Sequence, residues 1–347
     1  MNFKLCVKKI GESLINERYH YFSNKRANEI LFSIKKVNGL ADKKQLRNAE
    51  EYAKDVFGSV RFAPWLKVYT SVRGEFLEGW IPDNFYGRNV ITRIQGDYGK
   101  TSFLKSLSHK LFDERVCPDL AYYINGSWFD QNYYWVQNQH VADLIFSNDD
   151  KVVCKLDDTA QGKGIFFMGR NEFDLERLQG FGNFTIQRPI VQNSFFEKFN
   201  SNSVATIRLT TVLDLMGEVQ LRASYLRLGR VMDTHVQSSS HIRIPIDMNT
   251  GLLSNEGYLP NWHRIEKHPD SSVGFANKYL PNFEDCVNMV IRLHNRMLMV
   301  GSIGWDVIVD SSSKPVLIEW NGYSNDIKFS EATQGPCFHD LNWHQYS

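Results

Sequence analysis

The 347-residue chain is 42% hydrophobic and 13% aromatic, enough to bury a sizeable core in two or three lobes. No apolar run approaches the roughly 18 to 20 residues that span a bilayer, and the start, Met1 to Ile10, lacks the long apolar core and cleavage site of a signal peptide, so a cytoplasmic globular protein with no transmembrane segment is expected. The net charge of +1 conceals an asymmetry, since residues 1–110 hold 20 Lys/Arg against 11 Asp/Glu while the remainder holds 20 against 28.

The first sixty residues have a helical pattern. Leu46, Ala49, Ala53, Val56 and Phe57 recur at helical spacing, Arg47/Glu51 and Glu50/Lys54 are set to pair along the surface, and Gly58 terminates the helix. The basic pairs Lys8-Lys9, Lys25-Arg26, Lys35-Lys36 and Lys43-Lys44 suit a solvated helical face, and they could also meet a lipid-linked or otherwise anionic precursor. No recognised binding motif accompanies them, so no nucleic acid is expected. The five cysteines, Cys6, Cys117, Cys154, Cys286 and Cys337, have no CxxC spacing and indicate neither a disulfide framework nor a zinc site.

A turn-rich connector follows at Gly79 to Gly87, then Val90 to Ile94 as a short strand and Thr101 to Leu111 as a short helix bearing Lys105, His109 and Lys110. Lys151 to Lys155 is a compact strand that enters a loop ending in Gly162-Lys163-Gly164, ahead of a second apolar run, Ile165 to Met168. Backbone amides of such a loop can surround phosphate oxygens while Lys155 supplies a point charge, although an ordinary hairpin with an exposed lysine has the same pattern. Residues 172–182 are expected to be helical and Phe184 to Ile190 a strand. Ser203 to Asp214 and Val219 to Gly229 form another strand pair, with Arg208 inside an apolar run. A buried arginine needs an anionic partner, which suits either a structural ion pair or a phosphate contact. Asp285 to Val300 is an amphipathic helix with Val287, Val290, Ile291, His294 and Leu298 on one side, and His294 suits a packed core position better than a ligand role.

The runs Val307–Val309 and Val316–Ile318 flank the polar Asp310 to Lys314 and predict a hairpin. With its turn centred near Ser312 and Ser313, Asp306 falls opposite Glu319, and Asn321 projects from the same face as Glu319. Two carboxylates and an amide oxygen, without His or Cys, are hard ligands suited to magnesium. An ordinary edge hairpin with polar ends would look the same.

From about residue 79 to 335 this order of pieces resembles the ATP-grasp superfamily, and in detail its sugar-transfer-associated branch from polysaccharide gene clusters. The resemblance rests on the thirteen-residue step from Asp306 to the Glu-x-Asn of Glu319-Trp-Asn321. Trp80-Ile-Pro82-Asp83, Ser203 to Arg208, Leu226-Arg227-Leu-Gly229 and Ile246 to Gly251 are similar to further stretches of that branch. It implies an α+β ATP-grasp fold, two α+β lobes gripping ATP, preceded by a helical N-terminal region. The implied parts are that helical region (1–78), the start of the ATP-grasp region (79–117), a lid with the glycine-bearing loop (118–187) and a C-terminal subdomain with the magnesium site (188–347).

The resemblance further implies that Lys155 contacts ATP phosphates under the loop bearing Gly162 and Gly164, that Lys105 is the second phosphate lysine with Lys110 the alternative, and that the backbone of Gln187, Arg188, Pro189 and Ile190 meets adenine. Arg208 and Arg227 would neutralise the γ-phosphate, and Asp306, Glu319 and Asn321 would hold Mg2+. Catalysis would rest on Arg208, Arg227 and Lys155. Gln187 stands where relatives often have Glu, and Gln237 to His241 replaces a glycine-rich segment. The implied activity is an ATP-dependent ligation of a carboxylate to an amine through an acyl phosphate, joining an amino acid or similar amine to a sugar or cell-envelope polysaccharide precursor. Ser324, Asn325, Lys328 and Gln334, with Arg227 and His241, are candidates for the acceptor side. A phosphotransferase acting on a sugar hydroxyl and a non-catalytic ATP-binding protein are the alternatives.

Overall fold

A computed structural model describes residues 3–37, 39–159, 164–231 and 240–346, with side chains from Gly11 onward apart from Glu12. Three helices open the chain: α1 (Phe3–Val37), α2 (Lys43–Phe57) and α3 (Ala63–Arg73). Asp42 caps α2 by accepting from the Lys44 and Gln45 amides, and Gly58 ends it at φ +71°, the left-handed conformation a residue without Cβ adopts freely. Arg47 pairs with Glu51 at 2.8 Å as its spacing predicts. Glu50 instead reaches across to Lys67 of α3 at 2.6 Å, because helix docking brings a nearer cation than Lys54. No described helix is long and apolar enough to cross a membrane.

The expected strand at Val90 to Ile94 is helical. Residues Asp83–Phe85, Tyr86–Val90 and Ile91–Ile94 form one irregular helical run whose Phe85, Val90 and Ile91 are buried against α3 and the C-terminal segment. Burial on a curved face has overridden the β-preference of Val-Ile-Thr. The expected helix at Thr101 to Leu111 is also broken. Two short 3-10 turns, Tyr98–Phe103 and Lys105–Leu107, meet at Leu104 before a one-turn helix, Ser108–Phe112.

Two antiparallel sheets follow. The first orders β1 (Asp119–Ile124), β2 (Ser127–Asp130), β3 (Trp135–Val136), β4 (Lys151–Leu156), β5 (Ile165–Gly169) and β6 (Phe184–Gln187) as β3-β2-β1-β6-β4-β5. The second contains β7 (Thr206–Leu213), β8 (Val219–Leu228), β9 (Ile242–Pro245), β10 (Gly257–Tyr258), β11 (Arg264–Ile265), β12 (Ser302–Val309) and β13 (Pro315–Asn321), ordered β11-β10-β9-β8-β7-β12-β13. The helix expected across residues 172–182 shortens to Leu175–Gln179.

The helix Phe283–His294 stops six residues before the expected Val300, so its buried face is Cys286, Met289, Val290, Leu293 and His294, and Leu298 is exposed beyond it. His294 is fully buried, between Thr211 Oγ1 at 2.6 Å and the Val300 carbonyl at 2.7 Å. Apolar side chains gather in three clusters: one under each sheet, and one joining α1–α3 to Ile327, Phe329, Phe338 and Trp343.

Candidate active site

The β12–β13 hairpin turns through Asp310 to Lys314 and sets Asp306 opposite Glu319, with a bulge after Asp306. Asn321 stands opposite Gly304, and its Nδ2 donates to the Gly304 carbonyl at 3.2 Å. Gly304 is required by close approach: a Cβ there would meet Asn325 Oδ1 at 2.2 Å and Arg208 Nη1 at 3.1 Å. On the other side of β12, β7 places Arg208 opposite Asp306.

Arg208 binds Asp306 through two hydrogen bonds, Nε to Oδ1 at 2.6 Å and Nη2 to Oδ2 at 3.0 Å, and gives Nη1 to Asn325 Oδ1 at 3.1 Å. Arg227 of β8 also donates to Asp306 Oδ1. Burial works to raise the Asp306 carboxyl, but the two guanidiniums outweigh it and hold the group below its ordinary range. Glu319 goes the other way. Burial and the Asp306 charge raise it, against Lys105 and Lys155.

The lysines differ in placement. Lys155 is buried, its Nζ 3.3 Å from the Ile318 carbonyl, and burial lowers it while Glu319 works to raise it. Lys105 Nζ donates to the Leu156 and Thr159 carbonyls at 3.1 and 2.7 Å and lies 3.9 Å from Glu319 Oε1. Lys110 is exposed and sits over the Tyr133 ring. The structure therefore brings Lys105 and Lys155, not Lys110, to the carboxylates.

Gly164 has φ +76° and its carbonyl accepts from the Leu156 amide, while a Cβ would meet Thr159 Cγ2 at 2.9 Å. Gly162 and the stretch 237–239 lie outside the described residues. The loop entrance is fixed from below by Ser106, whose amide and hydroxyl both donate to Asp157.

Between the two sheets lies a cavity of about 690 Å³ lined by Lys155, Gln187 to Ile190, Arg208, Arg227, Asp306, Glu319 and Asn321. Its apolar walls include Val153, Ile165, Phe167, Ile308 and Ile318, which the sequence reading did not single out. Their signal was the apolar runs Val152 to Cys154, Ile165 to Met168, Val307 to Val309 and Val316 to Ile318, which mark strands but not the face turned to a ligand. The Gln187 side chain turns from the cavity to Asp119, at 2.7 Å. Arg188 gives its side chain to Asp149 and its amide to the Pro118 carbonyl. Pro189 has no N–H, so the linker presents the Ile190 amide and its carbonyls to a ligand.

The acceptor-side candidates divide. Ser324, Lys328, Arg227 and His241 line the same cavity, and Asn325 is buried behind Arg208. Gln334 lines a different cleft and is tied to the Ile246 carbonyl at 2.8 Å.

Residues 178–341 match the family model described as sugar-transfer associated ATP-grasp. The match covers a little under half of the chain. The matched segment contains β6 to β13, and so Arg208, Asp306 and Glu319. No curated protein matches the sequence. Among solved structures, the chain is similar to an ADP complex of N5-carboxyaminoimidazole ribonucleotide synthetase, 11% identical over 65% of this chain and 46% of that one, with TM-score 0.40. It is also similar to the ATP-grasp ligase PsnB complexed with minimal precursor, at 9% identity, 73% and 62% coverage and TM-score 0.41. D-alanyl-alanine synthetase A from Vibrio cholerae is 9% identical over 72% of this chain and 66% of that one, with TM-score 0.42. The chain thus spans between 46% and 66% of the length of these structures.

Proposed function

We propose that this ATP-grasp protein is an ATP-dependent, ADP-forming carboxylate–amine ligase that attaches an amino acid or similar amine to a sugar or cell-envelope polysaccharide precursor. The observation that carries the reading is one cavity in which Lys155, Arg208 and Arg227 converge on Asp306, Glu319 and Asn321, with Lys105 3.9 Å from Glu319 at its edge. The sugar-transfer association of the family supports the substrate class.

In this reading ATP lies between the sheets, its adenine among Val153, Phe167 and Ile308 and against the Gln187–Ile190 linker, and the segment 118–187 acts as the lid. Lys155 and Lys105 face its phosphates. Asp306, Glu319 and Asn321 would hold Mg2+. The donor set fits a hard cation, because a buried carboxylate, Asp306, and a half-buried one, Glu319, face one patch in which the Asp306 charge works to raise Glu319. Among the described residues no three His, Cys, Asp or Glu side chains gather to hold a metal, so the Asn321 amide oxygen is needed to complete the set. Bound there, magnesium would offset phosphate charge. Arg208 and Arg227 lower the repulsion that a carboxylate meets on approaching the γ-phosphorus. Its oxygen forms the new P–O bond, the bond to the β-phosphate oxygen breaks, and ADP leaves. The amine then attacks the acyl carbon, phosphate departs and the amine loses a proton. Exclusion of water by the lid protects the acyl phosphate.

The test is hydroxylamine offered in place of the amine together with a panel of uronic acids and amino acids. Acid-dependent ADP release with hydroxamate formation is expected. A stable phosphate ester without hydroxamate or amide would replace the ligase reading by a phosphotransferase.

A further inference from the structure

Arg243, in the four-residue apolar strand β9, is 8% exposed, yet among the described residues no carboxylate lies within ion-pair distance of it. Its guanidinium sits 4.7 Å from the Trp262 ring centroid and 4.5 Å from that of Phe329. Its Nη2 reaches the Leu259 carbonyl only at 3.4 Å, and its Nε is buried without a partner. A buried cation held by ring faces and one long hydrogen bond is under-compensated. The neighbours add to this. Burial, with the Arg26 and Arg227 charges adding to it, brings the group down to about 10 against Tyr225 and Asp326. Asp326, the nearby carboxylate, is engaged by Lys328 at 2.7 Å.

Arg243 lines the same cavity as the ATP-grasp constellation, toward the end walled by α1 through Arg26 and Ile30 and by Trp262. Arg26 is largely exposed, and its contact with Glu29 is long at 3.5 Å. Arg243 and Arg26 therefore face one volume beside an aromatic wall, and among the described residues no carboxylate pairs with Arg243.

We propose that this end of the cavity is an oxyanion subsite in which Arg243 and Arg26 hold a carboxylate or phosphate of the organic substrate, distinct from the group that reacts. That the ligand is a substrate rests on the ligase reading; that the subsite binds an oxyanion does not. The N-terminal helices, outside the matched family segment, then form one wall of the specificity site, and neutral acceptors are poor ligands.

The test uses the full chain saturated with a non-hydrolysable ATP analogue, so that the phosphate lysines are occupied. Inorganic phosphate and malonate are titrated separately by calorimetry, and the tighter ion identifies the class of headgroup. Arg243→Met is expected to weaken that ion by at least about tenfold, as for the loss of a charged hydrogen bond, while raising the unfolding midpoint of the ligand-free protein because a buried uncompensated charge is gone. Arg26→Gln, at an exposed helix position that cannot threaten folding, is expected to weaken the ion about two- to fivefold with an unchanged midpoint. Affinity for the ATP analogue should not move in either. Failure of both ions to bind the wild type, or wild-type affinity in Arg26→Gln and Arg243→Met, overturns the subsite. A lowered midpoint in Arg243→Met with unchanged ion affinity makes Arg243 a structural pillar and also overturns it. Anion binding lost with hydroxamate formation intact sinks the subsite alone, and the reverse result sinks the ligase reading alone.

Discussion

Asp306 of β12 and Arg208 of β7 face each other across neighbouring strands and close a bidentate pair, at 2.6 and 3.0 Å, inside the cavity. A residue read from the sequence as a metal ligand is thus also the counter-ion of two buried arginines. Asp306→Asn is accordingly expected to do more than remove turnover. It should lower stability by about 3 to 5 kcal/mol, because Arg208 and Arg227 are left without an anion. Glu319→Gln should lose a hundredfold or more in ATP turnover, about 3 kcal/mol, while keeping most of its stability. Urea unfolding of both variants beside an ADP-release assay checks the split, and full turnover by folded Glu319→Gln would remove the site assignment.

Lys155→Ala and Lys105→Ala should each weaken ATP binding by roughly 1.5 to 3 kcal/mol. Lys110→Ala should leave it unchanged, since Lys110 covers the Tyr133 ring outside the cavity. Titration with a fluorescent ATP analogue separates the three, and equal affinities would mean that the phosphates bind elsewhere.

His294 gives a stability term confined to acid. Its Nε2–H donates to the Val300 carbonyl, so Nδ1 accepts from the Thr211 hydroxyl, whose oxygen takes the Trp305 indole N–H at 2.7 Å. Burial brings its pKa from 6.5 to about 4 against the opposing Val300 bond. The unfolded chain therefore binds the proton first, and stability is full above pH 6.5 and falls by on the order of 3 kcal/mol as the pH drops toward 4. The difference in unfolding free energy between wild type and His294→Gln should fall as the pH drops through that window, since the other titrating groups, Glu331 among them, cancel in the comparison.

Glu331 has the opposite sign. It is fully buried, and its two oxygens accept from the Ile81 and Cys337 amides, both at 2.8 Å. Burial still raises it to about 8 from 4.5, because those two bonds do not offset the lost hydration. The folded state holds the proton longer, so its contribution is complete below pH 4.5 and is lost as the pH rises through 8. Glu331→Gln should cost about 1 to 3 kcal/mol at pH 5 by setting an amide N–H against a backbone N–H, and the gap to wild type should narrow toward pH 8. A gap independent of pH would show that Glu331 is ionised throughout.

What could be read before the structure was whatever period and chemistry encode locally. The β12–β13 register, the β4–β5 and β7–β8 pairs and the odd charge at Arg208 all follow from alternation of two and from polar turns. Arg243 carries the same signal as Arg208, an arginine inside an apolar strand, but in a strand of only four residues, too short for period two to stand out. The Glu50–Lys67 pair, the helical state of Val90 to Ile94 and the presence of Arg26 in the cavity depend on how distant segments dock, which no local pattern encodes. Lys105 was legible as a basic residue, but its grip on the Leu156 and Thr159 carbonyls was not.

The cluster that joins α1–α3 to Phe329, Phe338 and Trp343 sets an order of events during synthesis. Tyr86 meets Trp343 at 5.4 Å between ring centroids, and Trp80 gives its indole N–H to the Glu331 carbonyl. The apolar faces of the first helices, which pack on one another and on Val212, Tyr225, Tyr258 and Trp262, thus lack the last part of their cover until some 230 further residues have left the ribosome, roughly ten to fifty seconds at ordinary elongation rates. Through that interval the part of those faces meant for Ile327, Phe329, Phe338 and Trp343 is open to chaperones, and a nonsense codon anywhere before residue 327 would leave it so even with both sheets formed.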